Sequence, residues 1–188
     1  MSAGTLPDLL EALGELFICP GARPGPPLAA VRDAGWAGPA LRSALDQLLA
    51  APADNLDIAY ASLFLARTGR PTIRLGASAS RTGLHQDPEI LDRLEPIYRA
   101  AGISPDTPSQ PDDLGCLLIL MAHLLRLLAS GRADLEIPLV ALYRDPIEPL
   151  VRSVARQLAE PGVPPFHAAA GATLDIAMQA CEGLLQPA

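Results

Sequence analysis

Two adjacent carboxylates stand at the head of the most apolar stretch of the chain: Asp112 and Asp113 follow Pro111 and precede LGCLLILMAHLLRLLA. Their position is compatible with two functions. Carboxylates in the first turn of a helix stabilise its positive end by about 0.3 to 1 kcal/mol each, and proline is common in that turn. Carboxylates can also bind guanidinium groups, best through paired hydrogen bonds. The residues alone leave both interpretations open.

A second pair with possible chemistry is Cys116 and His123, which fall on one face of a predicted helix. A thiol beside an imidazole could serve as a nucleophile. A core thiol and a polar residue at the edge of the helix face explain the same spacing. The enzyme interpretation predicts that Cys116 reacts with a thiol reagent at neutral pH.

The remaining histidines and cysteines indicate neither a metal site nor a disulfide framework. His85, His123 and His167 are far apart, and the three cysteines form no CxxC motif. The sequence also lacks a P-loop and a GxSxG motif. We therefore expect a protein without catalytic activity or cofactor, in which helices form a binding or scaffolding surface.

The composition indicates one folded domain over residues 1–188 and argues against a nucleic-acid ligand. The hydrophobic fraction is 49%, and 188 residues are enough to enclose a core. With 14 basic residues, all arginine, against 21 acidic residues, the formal net charge is -7. Such a chain would not displace counterions from phosphate and suits a basic partner better.

The same features predict a location in the cytoplasm and no stable membrane insertion. The apolar run from Leu114 to Leu128 is interrupted by His123 and Arg126, and it is shorter than the roughly 18 to 20 residues that span a bilayer. The N-terminus shows no basic region of the kind that opens a signal peptide. The three cysteines are far apart and odd in number, which is typical of a protein in a reducing compartment.

Helical periodicity dominates the chain and predicts an all-α bundle of roughly nine to ten helices. The predicted helices cover 6–17, 28–34, 39–51, 54–67, 88–101, 111–130, 133–145, 145–160 and 164–185. Residues 68–86 lack this period. Because long structureless loops are uncommon inside compact domains, this segment is predicted to be either a connector or a wall of a binding site.

Several short motifs occur in an order that resembles the TorD/DmsD/NarJ family of redox-enzyme maturation chaperones. The motifs that carry the resemblance are YASLF from Tyr60 to Phe64, LGAS ending at Ser78, the segment 85–103, PDDL from Pro111 to Leu114, LMAHL around Met121, and Phe166. The chain departs from the family pattern at six positions, of which Leu117 and Ile119 replace acidic residues inside a helix. Ser109 replaces an acidic residue, Asp113 a histidine or tyrosine, and Leu75 and Gly76 a proline and an aromatic residue.

The resemblance implies a cytoplasmic, all-α chaperone of a molybdenum-containing oxidoreductase. Its partner would be the catalytic subunit in the apo-form, recognised through its twin-arginine signal peptide before cofactor insertion and export. The site residues implied are Tyr60, Leu63, Phe64, Ser78, Asp112, Asp113, Met121 and His123. The carboxylates would bind guanidinium groups, while Tyr60, Leu63, Phe64 and Met121 would supply apolar contacts. A monomer and a domain-swapped dimer are both compatible with the family.

The sequence leaves another class of function open, a helical small-molecule-binding sensor or regulatory interaction domain. That function would require a closed apolar cavity, and a regulator would ordinarily carry a basic DNA-binding helix as well. The chain shows no such basic helix, which counts against this alternative.

Overall fold

The computed structural model describes residues 4–19, 21–22, 25–65, 72–104 and 110–185, and within them the protein is all-α, as predicted. The helices are α1 (Leu6–Ile18), α2 (Pro26–Asp33), α3 (Pro39–Ala50), α4 (Leu56–Phe64), α5 (Ala77–Arg81), α6 (Pro88–Ala100), α7 (Leu114–Ala129), α8 (Glu136–Leu142), α9 (Glu148–Leu158) and α10 (Pro165–Leu185). A 3-10 turn, Ala133–Leu135, precedes α8, and a kinked segment, Tyr143–Ile147, separates α8 from α9.

Helix starts follow the capping chemistry of the sequence. Thr5 and Asp8 form a reciprocal capping box at α1, and Asp87 accepts a hydrogen bond from the backbone N–H of Glu89 at the start of α6. Each of these contacts satisfies an amide that would otherwise lack a partner at the helix end. The predicted bounds of α1 and α6 are therefore close to the observed ones.

The start of α7 differs from the prediction. A helix over 111–130 places Pro111 and Asp112 in the first turn, but α7 begins at Leu114 with Asp113 as its N-cap. The backbone carbonyl of Asp112 instead accepts a hydrogen bond from the N–H of Ala77. Asp112 therefore pairs with a distant segment and lies outside the helix, immediately before its N-cap.

The core is centred on α7, which packs along α1. At their crossing the two backbones approach so closely that a Cβ atom on Gly115 would lie 2.6 Å from the carbonyl oxygen of Gly14. Leucines of both helices are fully buried around this point: Leu9, Leu10, Leu13, Leu114, Leu117 and Leu118. Arg126 reinforces the contact at its edge through ion pairs with Asp8 and Glu11.

The remaining helices cover this pair. α10 packs against α9 and α3, while α2 lies between α1 and α3. None of the helices within the described ranges combines the length and apolar character that crossing a bilayer requires.

The segment predicted as a structureless loop contains ordered elements. Residues 68–71 lie outside the described residues, as does Ser109. Over 72–86 the chain forms α5, and Ile73, Leu75, Ala77 and Ser78 are buried. The prediction of no helix in 68–86 is therefore wrong at Ala77–Arg81. A helix of five residues is too short to show a hydrophobic period, so the sequence gives no periodic signal for it.

Candidate functional site at the start of α7

Two segments that are distant in sequence meet in front of α7. Gly76 and Asp113 form an isolated antiparallel bridge. In this bridge the N–H of Ala77 donates to the carbonyl of Asp112 at 2.9 Å, and the N–H of Leu114 donates to the carbonyl of Leu75 at 2.9 Å. The bridge joins the segment before α5 to the segment before α7, which are the LGAS and PDDL motifs.

Asp112 fixes this junction with its side chain. Its Oδ2 accepts a hydrogen bond from the backbone N–H of Ser78 at 2.8 Å, and only 2% of the residue is exposed. Ser78 is fully buried, and its own hydroxyl has no hydrogen-bond partner. The structure thus brings together two predicted site residues from separate motifs, and it assigns Asp112 a positioning role.

Asp113 is the more accessible of the two carboxylates. It is half-buried, and its Oδ1 accepts a hydrogen bond from the N–H of Gly115 at 3.0 Å. The pKa of Asp113 is raised to about 6, mainly by burial and in smaller part by the adjacent charge of Asp112, while the hydrogen bond from Gly115 opposes the shift. Among the described residues, neither carboxylate has a cationic partner.

Tyr60 connects α4 to this corner. Its hydroxyl donates to the carbonyl of Phe17 at 2.6 Å, and the residue is 7% exposed. Burial raises the pKa of Tyr60, and the charges of Asp113 and Cys19 raise it further. Ile18, the residue after Phe17, lies over Gly115 in the first turn of α7. The end of α1, the middle of α4 and the start of α7 therefore form one corner of the molecule.

The other apolar residues predicted for binding lie in the core. Leu63, Phe64 and Met121 are all buried, and the Phe64 ring packs 4.8 Å from that of Tyr60 and 5.8 Å from that of His167. In this structure none of the three offers a free surface to a peptide. Their predicted contact roles would require the surrounding helices to separate.

The structure does not bring Met121 and His123 to the acidic corner. At a rise of about 1.5 Å per residue, they lie roughly 12 Å and 15 Å along α7 from Asp113. His123 is half-buried, and its Nε2 lies 3.0 Å from the carbonyl oxygen of Ala101 at the end of α6. This contact fastens α7 to α6, which accounts for a histidine within an apolar helix.

The sequence patterns did not single out three exposed apolar residues on α1 and at the two ends of α4. Ile18, Ile58 and Leu65 are 40%, 55% and 52% exposed. A Cβ built on Gly115 would collide with the Ile18 side chain, which places Ile18 over the first turn of α7. The sequence contained a signal for Ile58, since it lies two positions before Tyr60 and thus on the opposite face of α4 from the buried residues.

Cys116 does not form a catalytic pair. Burial raises the pKa of its thiol to about 11, and the charges of Asp113 and Asp112 add to the shift. His123 is engaged with Ala101 on another helix. Among the described residues, no three His, Cys, Asp or Glu side chains lie close enough together to hold a metal ion.

Over the described residues the fold is all-α, and an acidic corner lies at the start of α7. Residues 29–150 match the family model described as nitrate reductase delta subunit, and the chain belongs to this family of NarJ/TorD-like chaperones. The family serves the maturation of molybdoenzymes. No curated protein matches the chain. The family match includes the YASLF, LGAS and PDDL motifs and ends before Phe166.

Proposed function

We propose that this protein is a cytoplasmic, non-catalytic chaperone for the catalytic subunit of a nitrate-reductase-type molybdoenzyme. It binds the twin-arginine signal peptide of the apo-subunit before cofactor insertion and export. Membership in the delta-subunit family supports the general role in molybdoenzyme maturation. The acidic corner supports the recognition of a basic peptide.

The main support for the proposal is the environment of the Asp113 carboxylate. It is a half-buried carboxylate next to a second carboxylate, with no cation beside it among the described residues. Removing a charge from water costs free energy unless a partner compensates. A guanidinium group supplies both the opposite charge and paired hydrogen-bond donors. Arginine is therefore the side chain that Asp113 favours as a partner.

The apolar part of the signal peptide would lie on the exposed face formed by Ile18, Ile58 and Leu65, which we name the isoleucine–leucine face. Ile58 and Leu65 are seven positions apart and fall on the same side of α4 and its end. Ile18 lies over Gly115, two residues after Asp113, and exposed apolar side chains suit the apolar segment that follows the arginines of such a peptide.

The buried predicted residues contribute indirectly in this proposal. Tyr60, Leu63 and Phe64 hold α4 against α1, and Ser78 with Asp112 holds α5 against α7. The first three thereby set the position of the isoleucine–leucine face. Met121 and His123 maintain the core and the contact to α6.

Calorimetric titration with a synthetic peptide tests the proposal. The peptide carries two adjacent arginines followed by an apolar segment, and the comparison peptide carries glutamine in their place. Asp113→Asn is expected to weaken binding of the arginine peptide about tenfold, because a charge-assisted contact contributes roughly 1.5 to 3 kcal/mol. Added salt should weaken binding as well.

The matched control is Asp134→Asn, which removes an exposed carboxylate that pairs with Arg132 outside the acidic corner. A second comparison sets Ile58→Ser against Ile137→Ser, since Ile137 is 81% exposed and lies on α8. Equal affinities for Asp113→Asn and Asp134→Asn, or equal binding of the two peptides, would contradict the proposal.

The alternative function, a small-molecule-binding sensor, calls for a closed apolar cavity. The pocket of about 380 Å³ beside Arg81 and Arg144 instead opens to the surface and has charged walls. No observation within the described residues favours the sensor over the chaperone.

A further inference from the structure

A surface pocket lies between α5, α6 and the start of α9. It has a volume of about 380 Å³, with Arg81, Arg144 and Asp145 among its walls and Ile90 and Leu150 among its apolar lining. We name it the arginine pocket.

The arginine pocket continues along α6 as a narrow cleft. The cleft shares Ile90, Asp145 and Pro146 with the pocket, and Arg93 and Ile97 line it further on. From Ile90 to Ile97 the helix rises by about 10 Å. The cleft itself has a volume of only about 10 Å³, so a ligand would occupy the pocket, with Arg93 at its margin.

The charge of this groove is opposite to that of the molecule. Arg81, Arg93 and Arg144 surround one carboxylate, that of Asp145, in a chain whose formal net charge is -7. Arg144 is exposed, and it has no hydrogen-bond or ion-pair partner among the described residues. The four side chains carry two positive charges in excess.

Asp145 holds two of the guanidinium groups in place. Its Oδ1 lies 3.2 Å from Nη1 of Arg81, and its Oδ2 lies 2.7 Å from Nη1 of Arg93. Both arginines are about half exposed, and a guanidinium has five N–H donors, so each keeps donors that Asp145 does not use. Exposed ion pairs contribute only about 0 to 1 kcal/mol, so their main effect here is to orient the arginines.

We propose that the arginine pocket binds an acidic segment of a partner polypeptide. A carboxylate of that segment accepts hydrogen bonds from Arg81 and Arg144, and a neighbouring apolar side chain packs on Ile90 and Leu150. Arg81, which Asp145 orients, and Arg144, which has no partner among the described residues, offer free N–H donors to a carboxylate, and the apolar lining suits a neighbouring apolar side chain of a peptide.

This site is distinct from the acidic corner proposed for the signal peptide. A basic peptide would be repelled by the excess charge of the arginine pocket, and an acidic one by Asp112 and Asp113. The two surfaces therefore select ligands of opposite charge, and the second proposal does not depend on the first.

Titration with a short acetylated peptide of alternating glutamate and leucine residues tests the arginine pocket. Arg144→Gln is expected to weaken its binding about tenfold, as loss of a charge-assisted contact would. The matched control is Arg156→Gln, because Arg156 is also exposed and without a partner among the described residues but lies outside this groove. Since neither arginine has a partner to lose, both variants should keep the wild-type urea midpoint.

Any one of the following results would overturn the proposal. They are an absence of binding, an equal loss of affinity in both variants, and equal binding of a glutamine–leucine peptide. Displacement of the peptide by inorganic phosphate at equal concentration would also overturn it, because it would indicate a small-anion site. The twin-arginine peptide is titrated in the same variants; its affinity should not change with Arg144→Gln, so either proposal can fail without the other.

Discussion

The carboxylate of Asp112 accepts a hydrogen bond from the backbone N–H of Ser78, and both residues are buried. We expect Asp112→Ala to lower the free energy of unfolding by about 1 to 3 kcal/mol, because it leaves a buried amide without a partner. Asp112→Asn keeps an acceptor oxygen and should lose less. Urea denaturation measures both variants.

Asp134→Ala is the control for this series, since it removes an exposed carboxylate. Surface substitutions of this kind usually change stability by less than about 0.5 kcal/mol. If Asp112→Ala and Asp134→Ala were equally stable, the hydrogen bond from Ser78 would not have the positioning role assigned to it.

Asp113 should make stability depend on pH. Its pKa of about 6 in the folded protein lies above the value of 3.8 for a free side chain, so the native state holds the proton more tightly than the unfolded state. The free energy of unfolding therefore loses a contribution as pH rises from about 4 to about 6. Asp113→Asn removes this loss and keeps a capping oxygen.

The stability gain of Asp113→Asn should accordingly be on the order of 1 to 3 kcal/mol at neutral pH and close to zero near pH 4. Denaturation curves of both proteins across this range measure it. If the unfolding free energies of the wild type and of Asp113→Asn changed with pH in parallel, the burial of Asp113 would not destabilise the native protein. A variant that is more stable yet binds the arginine peptide less tightly would exclude unfolding as the cause of lost binding.

The crossing of α1 and α7 leaves no room for a side chain at Gly115. We expect Gly115→Ala to lower the unfolding free energy by about 1 to 3 kcal/mol, since the added Cβ would force the two backbones apart. Gly183→Ala is a matched control in α10, because a Cβ there meets no atom within 4 Å. It should stabilise the protein by roughly 0.5 to 1 kcal/mol through helix propensity.

Thermal denaturation of both glycine variants gives the comparison. If Gly115→Ala raised the unfolding free energy as Gly183→Ala is expected to do, α1 and α7 could separate without cost.

The thiol of Cys116 should be unreactive at neutral pH. Its pKa of about 11 leaves almost no thiolate, whereas Cys19 is exposed and accessible to reagent. With a thiol reagent and mass spectrometry of the native protein, modification of Cys19 is expected first, and modification of Cys116 only after unfolding. Labelling of Cys116 as fast as Cys19 would restore the hypothesis of a cysteine nucleophile.

Much of the fold could be predicted because its signals are local. Thr5, Asp87 and the apolar spacing of α1 and α6 act within a few residues of the helix ends that they define. The arrangement before α7 could not be predicted in this way. Asp112 pairs with Ser78, which is 34 positions away in the sequence. Its carboxylate would also suit the first turn of a helix, so the sequence does not distinguish the two roles.

The residues of the candidate site, too, could be predicted only in part. The LGAS and PDDL motifs led to Ser78, Asp112 and Asp113, which the structure brings together. The spacing places Ile58 and Leu65 on the face of α4 opposite Leu63 and Phe64, but it did not reveal which face is covered, because α4 is apolar on several sides. Which apolar face is covered depends on α1 and α10, and those partners are set by the tertiary fold.

The helix α5 has only five residues, yet it is held at both ends by carboxylates from other parts of the chain. Asp112 binds the backbone at Ser78, and Asp145 binds the side chain of Arg81. Any ligand that displaces one of these carboxylates thus changes the position of a helix that the other also holds. If a ligand at the acidic corner changes the affinity of the arginine pocket for its own ligand, thermodynamic linkage requires the reverse effect to be of the same size. α5 is thus one turn of helix that contacts a carboxylate of each proposed site.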